Sequence, residues 1–227
     1  MIVEPSTEGQ GVREEWARRV EAEYRSAAFS QELALWLLQI GASVDLVREA
    51  QAIAGEELDH AERSMDVLVA TGGAVGPLDR ATLAIVRTAA PLEHDLLRAG
   101  VEMFCVGETL AVPLFRRMLD GATVPLVRRT LTRILADEAR HRRFGWTLLA
   151  AMLDRPDGGV LREVLAAALP GMRRRIEAAY GGDGGDNALS AEARAWGLLP
   201  RAAYGEALRH TTARWYRPRF AAVGLGW

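Results

Sequence analysis

A short pattern of acid, glutamate and histidine occurs twice in this 227-residue chain. The first copy is EELDH at 56–60, and the second is DEARH at 137–141. Positions i and i+3 of an α-helix lie on one face, so the glutamate and the histidine of each copy can bind one metal ion together. Two such helices facing each other would supply two imidazoles and two carboxylates. The predicted metal ligands are Glu57, His60, Glu138 and His141.

An isolated copy of this pattern is common on helix surfaces, where it makes only a weak side-chain pair. Here two of the four histidines carry it. Both copies lie on apolar stripes, with Ile53 and Ser64 on the face of the first and Ile134 and Gly145 on the face of the second. Burying these carboxylates without a cation would be very unfavourable. We therefore predict a metal centre rather than two surface pairs.

A centre with two metal ions needs two further carboxylates, one from each remaining helix. The turn near Ala122 joins the third and fourth predicted helices. Glu108 before this turn and Glu138 after it lie at about the same distance from it along their helices, whereas Glu102 lies about two helical turns too far away. On the first helix, Glu23 lies on the apolar stripe and Glu32 points roughly the opposite way. We therefore predict Glu23 and Glu108 as ligands, and it stays open whether Glu102 or Glu32 assists.

Two iron ions are the predicted cofactor, because mixed imidazole and carboxylate ligands suit iron or manganese better than zinc. The ligand types do not separate an Fe–Fe pair from Mn–Fe or Mn–Mn. Glu56 and Asp137 each precede a predicted ligand glutamate. They either accept the free N–H of a ligand histidine or are simply solvated acids.

Hydrophobic periodicity and helix-breaking residues predict four long helices, over about 11–40, 44–70, 91–119 and 124–153. Short turns join the first two and the last two, and a crossing segment with one short helix near Leu83 joins the pairs. This is the connectivity of a ferritin-like, up-down four-helix bundle. We predict an all-α protein with this bundle at 1–155 and a C-terminal helical extension packed on it at 156–227, with helices over 160–180 and 191–217. The glycine- and aspartate-rich stretch 181–187 faintly resembles calcium-binding repeats, but a plain loop is preferred.

Composition restricts the partners and the compartment. The net charge of −2 offers no strong field for nucleic acid or an anionic membrane. The chain has no apolar run of about eighteen residues and no signal-peptide pattern at its start, which predicts neither a membrane span nor secretion. The single cysteine, Cys105, excludes an internal disulfide. We therefore expect a cytoplasmic protein without nucleic-acid or membrane partners.

At the predicted ligands the sequence resembles ferritin-like proteins, the group that includes ferritins, rubrerythrins and di-iron oxidases. It looks most similar to the ferritin-like domain proteins of myxobacterial type. The matching stretches are AEYRSAAF at 22–29, GEELDHA at 55–61, VGETLA at 106–111 and ADEARH at 136–141. The resemblance covers most of 12–155 and implies a carboxylate-bridged di-iron site in which Glu23 and Glu108 are the single-carboxylate ligands. It is specific for the fold and the metal site, not for the reaction.

Three classes of function fit such a site: an O₂-dependent oxidase or oxygenase, a ferroxidase or other iron-handling protein, and a non-catalytic metal-binding protein. We favour the first, in which the six predicted ligands form the catalytic centre. O₂ and a small or peptide-like organic substrate would react there, and a reductant or electron-donor protein would supply electrons. The C-terminal helices could cap the bundle or cover a substrate channel.

Four residues add expectations about the surroundings of the site. Gly145 either leaves space for a substrate or allows close helix packing, and Phe104 and Cys105 either line the same cavity or are ordinary core residues. Pro113 should kink or loosen the third helix just past Glu108. Exposed, tryptophan-rich helices such as the one that carries Trp36 are the basis for expecting a possible homodimer.

Overall fold

The computed structural model describes residues 7–88, 90–182 and 189–227, and these form helices and loops without a β-strand. The N-terminal part contains the helices α1 (Thr7–Gln39), α2 (Val44–Ala70), α3 (Leu92–Gly100), α4 (Glu108–Gly121) and α5 (Pro125–Leu153). A π-helical segment, Val101–Gly107, joins α3 to α4 into one long rod, and a 3-10 turn, Arg80–Thr82, lies in the crossing segment. The C-terminal part contains α6 (Gly158–Tyr180), α7 (Ala191–Ala195), α8 (Arg201–Thr211), a second π-helical segment (Thr212–Tyr216) and α9 (Arg217–Ala222).

Local signals fix the ends of the long helices. Gly41, with a φ of 69°, ends the turn after α1, and the Ser43 hydroxyl accepts the backbone N–H of Leu46 at the start of α2. Gly72, with a φ of 77°, follows α2. Pro125 occupies the start of α5, where its missing N–H costs no helical hydrogen bond. The predicted bounds of the long helices agree with the structure to within a few residues.

The long helices pack in pairs around a common core. α1 lies on α2 and α4 lies on α5, each pair joined by a short turn, and α2 contacts α5 to bring the two pairs together. Each helix buries its apolar stripe, and the fully buried side chains include Trp16, Ile53, Phe104 and Phe144. The carboxylates and imidazoles on these same stripes therefore lie inside the packed helices.

The third long helix is loosened before Glu108 rather than after it. In the first π-helical segment the hydrogen bonds are shifted by one residue, so that the backbone N–H of Glu108 bonds to the carbonyl of Met103. Pro113 lies inside the continuous helix α4. The sequence analysis did not predict this π segment, because its extra residue has no signature in the spacing of apolar residues, and the kink expected at Pro113 stays a prediction.

The predicted single helix over 191–217 is wrong. Gly197, with a φ of 81°, and Pro200 separate α7 from α8. This break lets the Trp16 indole donate a hydrogen bond to the Trp196 carbonyl at 3.0 Å. Further on, the Tyr216 hydroxyl donates to the Val106 carbonyl at 2.6 Å. Both contacts fix the C-terminal segments to α1 and to the first π-helical segment.

The C-terminal helices share the core of the long helices. α6 contacts α3 and α5, and α8 contacts α4. A division into two domains near residue 155 stays a prediction, as does the loop at 181–187, since residues 183–188 lie outside the described residues.

Trp36 is buried, with 4% of its surface exposed, and the Arg87 guanidinium lies over its ring. The helix that carries it exposes Leu35 and Leu38 instead, and the homodimer stays a prediction. Across the described ranges, no helix combines the length and apolarity that crossing a bilayer requires.

Candidate metal centre

Six acidic and imidazole side chains from four helices meet in the interior. The six predicted ligands are all buried, with between 0% and 6% of their surface exposed: Glu23 of α1, Glu57 and His60 of α2, Glu108 of α4, and Glu138 and His141 of α5. Ligand atoms of Glu23, Glu57, His60 and Glu138 all lie within 4.8 Å of one another, and so do those of Glu57, Glu108 and His141. Buried groups of this kind could hold metal ions, and the two sets share Glu57.

Glu57 and Glu138 both span the space between the two imidazoles. One oxygen of Glu57 lies 3.3 Å from Nδ1 of His60, and its other oxygen lies 3.2 Å from Nδ1 of His141. The two oxygens of Glu138 are placed in the same way. Oε1 lies 4.0 Å from Nδ1 of His60, and Oε2 lies 3.6 Å from Nδ1 of His141. Two carboxylates with this placement can each bridge a pair of cations, while Glu23 and Glu108 each approach from one side.

The inward-facing atoms are close together but do not satisfy each other. Within the described ranges, Nδ1 of both histidines, both oxygens of Glu57 and Oε2 of Glu138 make no hydrogen bond. Buried polar atoms are ordinarily paired, because leaving one unpaired costs about 1–3 kcal/mol. Five such atoms aimed at one small volume are the arrangement expected of metal ligands.

The outward-facing nitrogens of the two histidines contact acids on the opposite helix. Nε2 of His60 lies 3.1 Å from Oδ2 of Asp137, and Nε2 of His141 lies 2.9 Å from Oε2 of Glu56. Arg140 contacts both acids. Of the two interpretations of Glu56 and Asp137, the structure confirms the contact with a histidine ring nitrogen. Such a contact leaves the Nδ1 lone pair free for a metal.

Burial and mutual repulsion shift the protonation of the six groups. Burial, followed by the charge of Glu57, raises the pKa of Glu23 well above its ordinary value. Burial and the charge of Glu138 do the same to the pKa of Glu108. Burial would also raise the pKa of Glu57, but the two imidazoles outweigh it and lower that pKa to about 2.

The imidazole of His141 shows the complementary effect. Burial would lower its pKa, but Glu138 and Glu57 outweigh burial and raise it to about 12. The metal-free centre therefore retains protons that a divalent cation would displace, since metal ligands must be deprotonated.

The two alternative carboxylates lie elsewhere. Glu102 forms a two-point contact with the guanidinium of Arg175, at 2.5 and 2.7 Å. Glu32 accepts the backbone N–H of Ile85 at 2.8 Å and so helps to fix the crossing segment. The sequence argument that preferred Glu108 and Glu23 over these two agrees with their positions in the structure.

Gly145, Phe104 and Cys105 do not form a substrate cavity. A Cβ atom at Gly145 would lie 2.6 Å from the backbone carbon of Phe104, so the glycine allows α5 and the first π-helical segment to pack closely. Phe104 and Cys105 are both completely buried. The interpretation of these residues as lining for a substrate is therefore wrong, and close packing is the correct alternative.

A cavity lies between α1 and α4, and none of the six predicted ligands is among its lining residues. This cavity of about 720 Å³ is lined by residues that adjoin the outer ligands, namely Ala22 beside Glu23 and Gly107 beside Glu108. Arg19 also lines it and was missed in the sequence analysis. The sequence did contain a signal for it, since Arg19 lies one helical turn before the predicted ligand Glu23 and close to the apolar stripe of the first helix.

Comparisons with family models, curated proteins and solved structures produced no match.

Proposed function

We propose that this protein is a non-haem di-iron oxidase or oxygenase of the ferritin-like type, which uses O₂ to oxidise an organic substrate. The observation that carries the proposal is the convergence of unpaired Nδ1 and carboxylate oxygen atoms inside four packed helices. Ferritin-like connectivity, with short turns inside each pair of helices and a long crossing segment between them, supports the same conclusion.

The donor set fits a pair of iron ions. It consists of two imidazole nitrogens and four carboxylates, and such oxygen-rich mixed sets suit iron or manganese. His60 and Glu23 would hold one ion, and His141 and Glu108 the other. Glu57 and Glu138 would lie between them, since each has one oxygen near each histidine.

Two ferrous ions bound there would supply electrons and open coordination positions for the reduction of O₂. An oxygenation would consume one O₂, one substrate C–H or N–H bond, two electrons from a reductant and two protons, and would yield the hydroxylated product and one water. The protein would fix the ligands through Glu56 and Asp137 and exclude bulk water through the surrounding apolar core.

The cavity between α1 and α4 favours an organic substrate over iron as the substrate. Its volume of about 720 Å³ lies in the range of small-molecule sites. Its α4 side carries the apolar residues Leu110, Leu114 and Phe115, which could contact the apolar part of an organic substrate.

The test begins with anaerobic Fe²⁺ titration of the purified chain, followed by O₂ uptake with increasing Fe²⁺. We expect about two iron ions bound per chain and O₂ uptake that stops once this bound iron is oxidised. A Glu57→Ala, Glu138→Ala double variant should bind no iron. Asp66→Ala, which removes an exposed acid from the same helix α2, is the matched control and should bind iron like the wild type.

Two results would contradict the proposal. Oxidation of many equivalents of Fe²⁺ per chain would identify an iron-handling protein instead. A folded wild-type chain that binds neither iron nor manganese would remove the metal centre altogether.

A further inference from the structure

The cavity between α1 and α4 has one apolar side and one charged side. Leu110, Leu114 and Phe115 of α4 form the apolar side. The C-terminal helices α6 and α8 add Tyr180 and Tyr204 to the lining of the cavity, and the rings of these two residues stack with centroids 6.1 Å apart. The charged side is formed by the third and fourth turns of α1, which carry Glu14, Glu15, Arg18 and Arg19, and by Arg201.

Arg19 is unusual among these charged residues because it is buried, with 7% of its surface exposed. Its Nη2 makes only long contacts, at 3.4 Å to Glu15 and 3.4 Å to the Gly197 carbonyl. Its Nε and Nη1 have no hydrogen-bond partner in the described part of the chain. A buried guanidinium with free N–H groups is costly, and it can be offset by an anion that accepts those hydrogen bonds.

The protein compensates this charge only weakly. Glu15 also pairs with Arg18 at 2.7 Å, which is shorter than its contact with Arg19. The rings of Trp16 and Phe115 lie 4.6 and 5.9 Å from the Arg19 guanidinium carbon, so aromatic faces supply part of the remaining stabilisation. Cation–π contacts do not satisfy the N–H groups of Nε and Nη1, which remain without an acceptor in the described part of the chain.

Arg19 lies on the same helix as the predicted ligand Glu23. It precedes Glu23 by four residues, which is about 6 Å along the helix axis. Its guanidinium contacts Glu15 and Trp16, on the N-terminal side of Arg19. An anion held by Arg19 would therefore lie more than one helical turn from Glu23, towards the start of α1.

We propose that this cavity binds an amphipathic organic acid, with the carboxylate on Arg19 and the apolar body against α4. This assignment rests on the proposed function, for which it names the class of substrate. A single negative charge fits better than a phosphate, because a phosphate monoester would bring about two negative charges beside Glu14 and Glu15. Arg19 is a binding residue, and its contact with the Gly197 carbonyl also holds the segment that closes the cavity.

The test uses isothermal titration calorimetry on the full-length protein with decanoate, decan-1-ol and decyl phosphate as probes. We expect one decanoate per chain, with the alcohol at least tenfold weaker, since a hydrogen bond to a charged group contributes about 1.5–3 kcal/mol. Arg19→Gln should reduce the affinity for decanoate to that of the alcohol, and Arg19→Lys should restore part of the difference. Arg63→Gln, which removes a surface arginine of α2, is the control and should leave decanoate binding unchanged.

Equal affinity of the wild type for decanoate and decanol would overturn the proposal, and so would an unchanged preference in Arg19→Gln. Tighter binding of decyl phosphate would overturn the carboxylate assignment. Because Arg19→Gln also loses the contact with Gly197, Ala111→Phe provides a second variant. It fills the cavity without touching the guanidinium contacts, and it should abolish binding of both the acid and the alcohol.

The calorimetry does not depend on turnover, so the two proposals can fail separately. Carboxylate-selective binding in a protein that shows no iron-dependent O₂ uptake would retain the binding site and remove the oxidase. Iron-dependent O₂ uptake without carboxylate selectivity would retain the oxidase and remove the carboxylate-binding site.

Discussion

His60 and His141 each use both ring nitrogens, one toward the centre and one toward an acid on the opposite helix. The outward nitrogen of His60 meets Asp137, and that of His141 meets Glu56. An acid that accepts Nε2–H fixes both the tautomer and the orientation of the ring. The inward Nδ1 then carries the lone pair, which is the form that a metal ion binds.

These crossed contacts should control metal affinity. We expect Glu56→Ala and Asp137→Ala each to weaken Fe²⁺ or Zn²⁺ binding about 10–100-fold, because the ligand histidine loses the acid that orients its ring. Competition with a chromophoric chelator would measure the affinity.

Asp66→Ala is the matched control for these variants. Asp66 is an exposed acid of the same helix α2, and its variant should bind metal like the wild type. Unchanged affinity in Glu56→Ala and Asp137→Ala would show that the histidine rings are oriented by core packing alone.

At the scale of residues, spacing predicted the inward set but not the space around it. Helical periodicity places Glu57 and His60 on one buried face, because that face is a property of one helix. The surroundings depend on which neighbouring backbone approaches. For Gly145 the sequence left open either space for a substrate or close helix packing, and the structure places it against Phe104. Arg19 was overlooked because a cation near an apolar stripe is ordinarily a surface residue.

At the scale of elements, Asp95 fixes the end of the crossing segment to the start of the third long helix. It is 4% exposed, and its carboxylate accepts hydrogen bonds from the Thr88 backbone N–H, the Thr88 hydroxyl, Arg87 and Arg98. Burial would raise its pKa, but these donors outweigh burial and lower it to about 2.

Asp95→Asn should therefore destabilise the protein in a pH-dependent way. The folded-state pKa lies below the unfolded value of about 3.9, so the contribution of this carboxylate to stability is fully present above pH 4 and is lost as the pH falls towards 2. We expect the free energy of unfolding to fall by about 1–3 kcal/mol at pH 7. Urea denaturation from pH 7 to pH 2.5 would measure it.

The difference in the free energy of unfolding between Asp95→Asn and the wild type should become smaller as the pH falls from 7 to 2.5. Asp66→Asn, an exposed acid of α2, should match the wild type at every pH. A difference for Asp95→Asn that stays constant down to pH 2.5 would assign the loss to packing rather than to the charge.

The lengths of the elements were predicted well where glycine, proline and serine act locally, as at Gly41 and Pro125. Prediction failed where an apolar pattern continues through a break. The 191–217 stretch has helical spacing on both sides of Gly197, and the prediction continued one helix through Gly197 and Pro200, although the structure breaks there.

At the scale of the whole molecule, one cluster of buried apolar side chains extends from Val12 of α1 to Leu225 beyond α9. Tyr216 reaches across to Val106, next to the metal centre, and the Trp227 ring lies 4.5 Å from that of Tyr216. The C-terminal helices therefore contribute to the same core as the helices that carry the ligands.

We expect the full chain to unfold in one cooperative transition. A shared core couples the two parts, so differential scanning calorimetry should give one peak whose calorimetric and van't Hoff enthalpies agree. Two separate transitions, with the first leaving metal binding intact, would instead support independent domains divided near residue 155.

The crossed histidine contacts also make the two hairpins depend on each other. Each hairpin carries one single carboxylate and one acid–glutamate–histidine set, and the acid of each set contacts the histidine of the other. A hairpin separated from its partner would keep its glutamate and its histidine but would lose the acid that orients the imidazole ring. The arrangement of the inward-facing atoms is therefore a property of the docked pair of hairpins and of neither hairpin alone.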